Sequence, residues 1–205
     1  MPAEPAAPLS GFAVKPVLTG AKAVLRPFTE ADAEAMAAII EDPEVTRFTG
    51  PAGVRFTLDR LRAWYGSRGA RDDRLDLAVT DRVSGEVVGE SVLFEWSEPD
   101  RSCLLRILLG PGGRDRGLGT ETLRLTLAHA FGPLGLNRVA LGVHADNPRA
   151  IRVYERVGFV REGVARQAVL KDGGAVDEIM MAVLAEEWRA HGGHPGRRPD
   201  GTATL

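Results

Sequence analysis

Cysteine is almost absent: Cys103 is the single one in 205 residues. No intrachain disulfide framework can form, and such usage fits a reducing compartment. No apolar run approaches the roughly 20 residues needed to span a bilayer. The opening MPAEPAAPLSGFAVKP lacks the charged start and apolar centre of a signal peptide. A large excess of one charge is missing as well. The formal charge of -2 argues against a nucleic-acid binder that relies on bulk positive charge, so any basic site must be local. No internal repeat is visible. These absences predict a cytoplasmic protein with neither a membrane nor a nucleic acid as partner.

What is present is an ordinary globular composition, 44% hydrophobic and 26% charged. At this length one well-buried domain is expected rather than two. It is placed at residues 20–190, between a flexible Pro- and Ala-rich N-terminal tail, 1–19, and a flexible C-terminal tail, 191–205. AKAVLRPF reads as a strand, and TEADAEAMAAII as a helix with Thr29 as its N-cap. TLDRLRAWYGSR reads as a second helix, with Leu58, Leu61 and Tyr65 on one face. LDLAVTD and EVVGESVLFEW form a hairpin about RVSG, and CLLRILLG is a third, more apolar strand. GLGTETLRLTLAHAF and PRAIRVYERV are helices on either side of the strand RVALGVH. FVREGVARQAVL and DEIMMAVL close the chain as a hairpin about KDGG. Hairpins combined with strand–helix–strand crossovers imply a mixed α/β sheet with helices on its faces.

RDRGLGTETL, residues 114–123, sits between the apolar strand and a helix. Glycines let backbone N–H groups face outward, and a helix start adds unpaired donors and a positive dipole end. Together they make an anion seat, and the flanking arginines suggest a phosphate. The P-loop lysine is absent, and Gly117 and Gly119 do not complete G-x-G-x-x-G. What remains is R-x-x-G-x-G, followed across one strand by NPRAIRVYERVGF, residues 147–159.

RILLGPGGRDRGLGTETL and NPRAIRVYERVGFVREG together resemble the GNAT superfamily of acyl-CoA-dependent N-acyltransferases. AVLRPFTEADAEAM and DEIMMAVLAEEW further resemble its RimJ/RimL-like branch, so the likeness spans roughly residues 18–189. The resemblance implies an α+β GNAT fold, with a mixed, mostly antiparallel sheet splayed at its central strands and helices on both faces. It implies acetyl-CoA as cosubstrate, no metal, and a primary amine as acceptor, either a protein N-terminus or a small molecule. A homodimer is the expectation for the branch. Arg114, Asp115, Arg116, Gly117, Leu118, Gly119 and Thr120 would hold the pyrophosphate, and Ile107, Leu108 and Leu109 would line the pantetheine. Asn147 would bond the pantetheine arm, and Tyr154 would protonate the departing thiolate. A thiol of pKa near 8.5 needs only modest acid assistance, which a phenol can give.

Related enzymes often carry a glutamate on the central strand as base, and Leu104 stands at that position. Glu90 and Glu95, on the preceding strand and taken to share its cleft-facing side, are the alternatives. An α-amine of pKa about 7.8 is roughly 15% neutral at pH 7, whereas a lysine of pKa 10.4 is about 0.04% neutral. A chain without a strong base on the central strand therefore suits a weakly basic amine. Cys103 and Trp188 read as packing residues, and the His191/His194 pair as part of a solvated tail. Trp64 and Tyr65 either border the acceptor cleft or pack in the core. The competing readings are a non-catalytic acyl-CoA-binding module and nucleotide binding at the Gly-rich loop.

Overall fold

The computed structural model describes residues 11–49, 55–171 and 173–192. Its strands are β1 (Leu18–Thr19), β2 (Ala23–Pro27), β3 (Leu75–Asp81), β4 (Val87–Ser97), β5 (Ser102–Leu109), β6 (Arg138–His144), β7 (Val160–Lys171) and β8 (Gly174–Leu184). Its helices are α1 (Ala33–Ile40), α2 (Pro43–Thr49), α3 (Leu58–Ser67), α4 (Leu118–Phe131), α5 (Pro148–Arg156) and α6 (Ala185–Ala190). Among the described residues the strands form one sheet in the order β1-β2-β3-β4-β5-β6-β8-β7. β3 is buried at every position, as a strand must be when both faces of its sheet are covered.

Alternation along β5 divides the core in two. Cys103 and Leu105 pack with Leu123 and Leu127 of α4, Ile151 of α5 and Trp188 of α6. Leu108 points the other way, to Met36 and Ile39 of α1, Val45 of α2 and Leu61 of α3. Helices thus cover both faces of a mixed, mostly antiparallel sheet. Only β5 and β6 run parallel, and they pair solely over Ser102–Leu104 against Arg138–Ala140. Beyond that point β5 stays with β4 as far as Leu109, and β6 stays with β8 as far as His144. The sheet forks.

The elements expected from sequence omit β1, α2 and α6. β1 has two residues, and α2 buries only Val45, so neither carries a hydrophobic period to read. The body also begins earlier than residue 20. Phe12 is 1% exposed, with its ring edge-on to Trp96 at 4.7 Å. Lys15 Nζ donates to the carbonyls of Phe12, Arg71 and Arg74, each at 2.5 Å. Residues 11–19 are therefore anchored to the domain and are not a flexible tail. The tail segments 1–10 and 193–205, with His194, lie outside the described residues.

Candidate active site

The fork opens a cleft of about 760 Å³, lined by β5, β6, α2, α5 and the loop into α4. The facing edges of Leu105–Leu109 and Leu141–His144 have no strand partner there. Backbone donors and acceptors left open in this way are ready to bond a ligand.

Gly113, Arg114, Asp115, Gly117, Gly119 and Thr120 line the mouth. Gly117 adopts φ 83° as the N-cap of α4, a conformation that suits glycine. Asp115 takes φ 57°, which costs an L-residue about 1–2 kcal/mol. The first backbone bond of α4 runs from Glu121 N–H to Gly117 O at 3.2 Å, and the N–H groups from Asp115 to Thr120 have no backbone partner among the described residues. The Glu121 carboxylate pins the helix start by accepting from the N–H groups of Ala21, Lys22 and Ala23, at 2.6–2.9 Å.

The arginine side chains of this loop are occupied by protein groups. Arg114 pairs with Asp42 and Glu44 and donates to Leu109 O at 2.9 Å, and its guanidinium holds the Asp42 carboxyl below its usual range. Arg116 pairs with Asp81 at 2.5 Å, donates to Gly112 O, and does not line the cleft. Leu118 is 1% exposed and belongs to the core. What the loop offers an anion is therefore its backbone N–H groups. Arg149 of α5 also lines the mouth, paired with Glu44 and 3.9 Å from Asp115.

Asn147 starts α5, where its Oδ1 accepts from Ala150 N–H at 3.1 Å. Its amide NH₂ group remains to donate into the cleft that it lines. Further along α5, Tyr154 packs edge-on to Phe159 and still reaches the cleft. Burial pushes its hydroxyl up to about 12. Ile107, Leu108 and Leu109 line the same space from β5.

Comparison with known proteins gives this arrangement a family. Residues 22–160 match the family described as an acetyltransferase (GNAT) domain. The chain belongs to the GNAT acetyltransferases. It is 26% identical over 176 residues to the uncharacterized N-acetyltransferase YoaA of Bacillus subtilis (strain 168), covering 82% of this chain and 97% of that one. It is 26% identical over 132 residues to the spermidine N(1)-acetyltransferase of Vibrio cholerae, covering 64% of this chain and 76% of the relative. A putative acetyltransferase from T. thermophilus superposes with a TM-score of 0.72 at 31% identity, over 86% of this chain and 93% of its own. The V. cholerae spermidine N-acetyltransferase in complex with CoA and spermine shares the fold at 22% identity, with a TM-score of 0.74 over 82% and 98% of the two chains.

In this GNAT enzyme Leu104 lines the cleft at the last β5–β6 pair. Glu90 and Glu95 do not share a face. Positions five apart alternate to opposite sides of a regular strand, and β4 is irregular between Phe94 and Ser97, where Glu95 has φ 53°. Glu95 is exposed and lines the cleft. Glu90 is buried away from it, accepting from Arg106 at 2.7 Å. Burial, opposed by Arg106, pushes the Glu90 carboxyl above its usual range. Tyr65 is a core residue against Phe28, and Trp64 lies under Arg68 at 3.8 Å; neither lines the cleft. Cys103 is 3% exposed, and burial pushes its thiol up to about 12. Two cleft residues that sequence reasoning passed over are Phe48 of α2 and Glu178 of β8. α2 was unreadable, and Glu178 reaches the cleft only through the β6–β8 pairing.

Proposed function

We propose that the cleft binds acetyl-CoA and transfers its acetyl group to a primary amine by direct attack, the acceptor being a protein N-terminus or a small amine. The observation that carries this reading is the fork, which gathers the Gly-rich loop, Asn147 and Tyr154 around one opening. The pyrophosphate sits on the N–H groups of residues 115–120, where the dipole of α4 favours an anion. Arg114 and Arg116 hold the shape of that loop. Pantetheine runs along the open edge of β5, with Asn147 bonding it from the other limb. Attack of the neutral amine forms a tetrahedral oxyanion, which an unpaired strand N–H stabilises; one such donor contributes about 3–4 kcal/mol.

Collapse breaks the C–S bond, and Tyr154 gives its proton to the thiolate. Burial raises the Tyr154 hydroxyl to about 12, so the phenol holds its proton until the thiolate forms. Of the two carboxylates foreseen as base, Glu95 is the one that reaches the cleft.

The RimJ/RimL likeness and the advantage of an α-amine over a lysine favour a protein N-terminus. The spermidine-acetylating relatives favour a small amine, and the cleft can serve either. The same reading carries a cytoplasmic, homodimeric enzyme. Thiol release from acetyl-CoA, measured with free-N-terminal peptides, amino acids and polyamines, tests the reading. Turnover with at least one amine is expected. Tight CoA binding with no turnover on any of them leaves an acyl-CoA-binding module.

A further inference from the structure

We propose that Glu178 is the group that takes the proton from the acceptor amine. This role rests on the acetyl-transfer reading above and supplies the base that Leu104 leaves missing on β5. Glu178 is half-buried on β8, opposite His144, and lines the same cleft as Tyr154, Asn147 and Leu104. Its carboxylate lies over the bare backbone of Gly142: a Cβ there would stand 2.4 Å from Oε1 and 2.6 Å from Cδ. Gly142 is two residues past Ala140, the last β6 residue paired to β5. That is the inner end of the fork, where a thioester arriving along β5 from the loop comes to rest.

The other acids of the cleft are less suited. Glu44 is held by Arg114 and Arg149, and Asp115 lies at the mouth beside Arg149. Glu95 stands exposed at the β4 irregularity, one strand further from β6. Glu178 has no ion pair or hydrogen bond to another side chain among the described residues, so its lone pairs are free. His144 faces it from β6, with Lys171 and Asp146 behind, and Arg106 lines the cleft from β5. His144 is the less suited of the two facing groups. Its Nδ1 is engaged by Lys171 Nζ at 3.3 Å, and burial, with the Lys171 charge beside it, holds the imidazole below its usual range as a proton acceptor.

The step balances. The ammonium gives one proton to the Glu178 carboxylate, and the freed nitrogen pair forms the N–C bond. Collapse breaks C–S, the sulfur leaves with that electron pair, and Tyr154 protonates it. The nitrogen's second proton restores the Tyr154 phenol through solvent, and Glu178 releases its own, so one proton leaves per turnover.

Steady-state kinetics with acetyl-CoA test this on any amine that the wild-type chain acetylates. Glu178→Gln should lower kcat by about 100-fold or more, the usual scale for acid–base catalysis, with CoA Kd unchanged. Glu178→Asp should recover at least tenfold over the glutamine variant. Gly142→Ala, whose methyl takes the carboxylate's place, should fall with Glu178→Gln and gives a second reading if that variant folds poorly. A glutamine variant within threefold of wild-type kcat overturns the assignment, as does a loss confined to KM or an aspartate variant no better than glutamine. A wild-type chain that acetylates nothing overturns the acetyl-transfer reading and this role with it. Full activity in Glu178→Gln overturns this role alone.

Discussion

At the scale of single residues, two buried groups make opposite demands. As the proposed acid, Tyr154 must keep a proton until the thiolate forms, and its raised value near 12 means it stays protonated through pH 10. The alkaline limb of kcat should therefore show no fall from this group below about pH 11. Tyr154→Phe should reduce kcat by about 100-fold or more while leaving CoA affinity within twofold, as titration calorimetry can show. Glu90 concerns stability. A carboxyl raised on folding binds its proton more tightly in the folded chain than in the unfolded one. Its contribution is then most favourable below the unfolded value of about 4.3 and is lost as pH rises from there through the raised value. Glu90→Gln should flatten the decline of thermal midpoint between pH 4 and 7. At pH 7 it should raise the midpoint, by about 2–4 °C for each kcal/mol regained.

At the scale of elements, the loop into α4 is where conformation and binding meet. Gly117→Ala forces an L-residue into φ 83°, at about 1–2 kcal/mol, and turns the N–H groups it flanks. The thermal midpoint should drop by about 2–8 °C, and CoA Kd should rise about tenfold by calorimetry. Gly112→Ala is the control, since its added methyl meets only Val88 Cγ1, at 3.6 Å. This loop, β3 and α5 were legible in the sequence because each carries its signal locally, as a burial period or a short motif. In α5 that period is Ile151, Tyr154 and, just past its end, Val157, all buried on one side. The partners of Arg114 were hidden because Asp42 and Glu44 stand 72 and 70 positions earlier, on or beside the short helix α2. Glu178 was hidden for a related reason: only the register of β8 on β6 brings it over Gly142. The shared face expected for Glu90 and Glu95 fails on their spacing alone: five positions is an odd step, which puts them on opposite sides of a strand, as the structure has them.

At the scale of the whole molecule, the two limbs of the fork are joined within the sheet by three residue pairs of β5 and β6, the rest of the junction being side-chain packing. A ligand that touches the α4 loop and β5 on one limb and Asn147 on the other acts as an additional tie between them. Binding to the folded state alone stabilises by RT ln(1 + [L]/Kd), about 2.7 kcal/mol at one hundred times Kd. For a chain of this size that is a rise in thermal midpoint of about 5–11 °C. CoA at such a concentration should produce that rise and should slow amide exchange in both β5 and β6. ATP offers phosphates to the loop but has no pantetheine to reach Asn147, so at equal concentration it should protect the start of α4 and leave β6 unchanged. Equal protection of β6 by the two ligands would mean that the loop, and not the fork, is what recognises them, and the cleft would then be a nucleotide site.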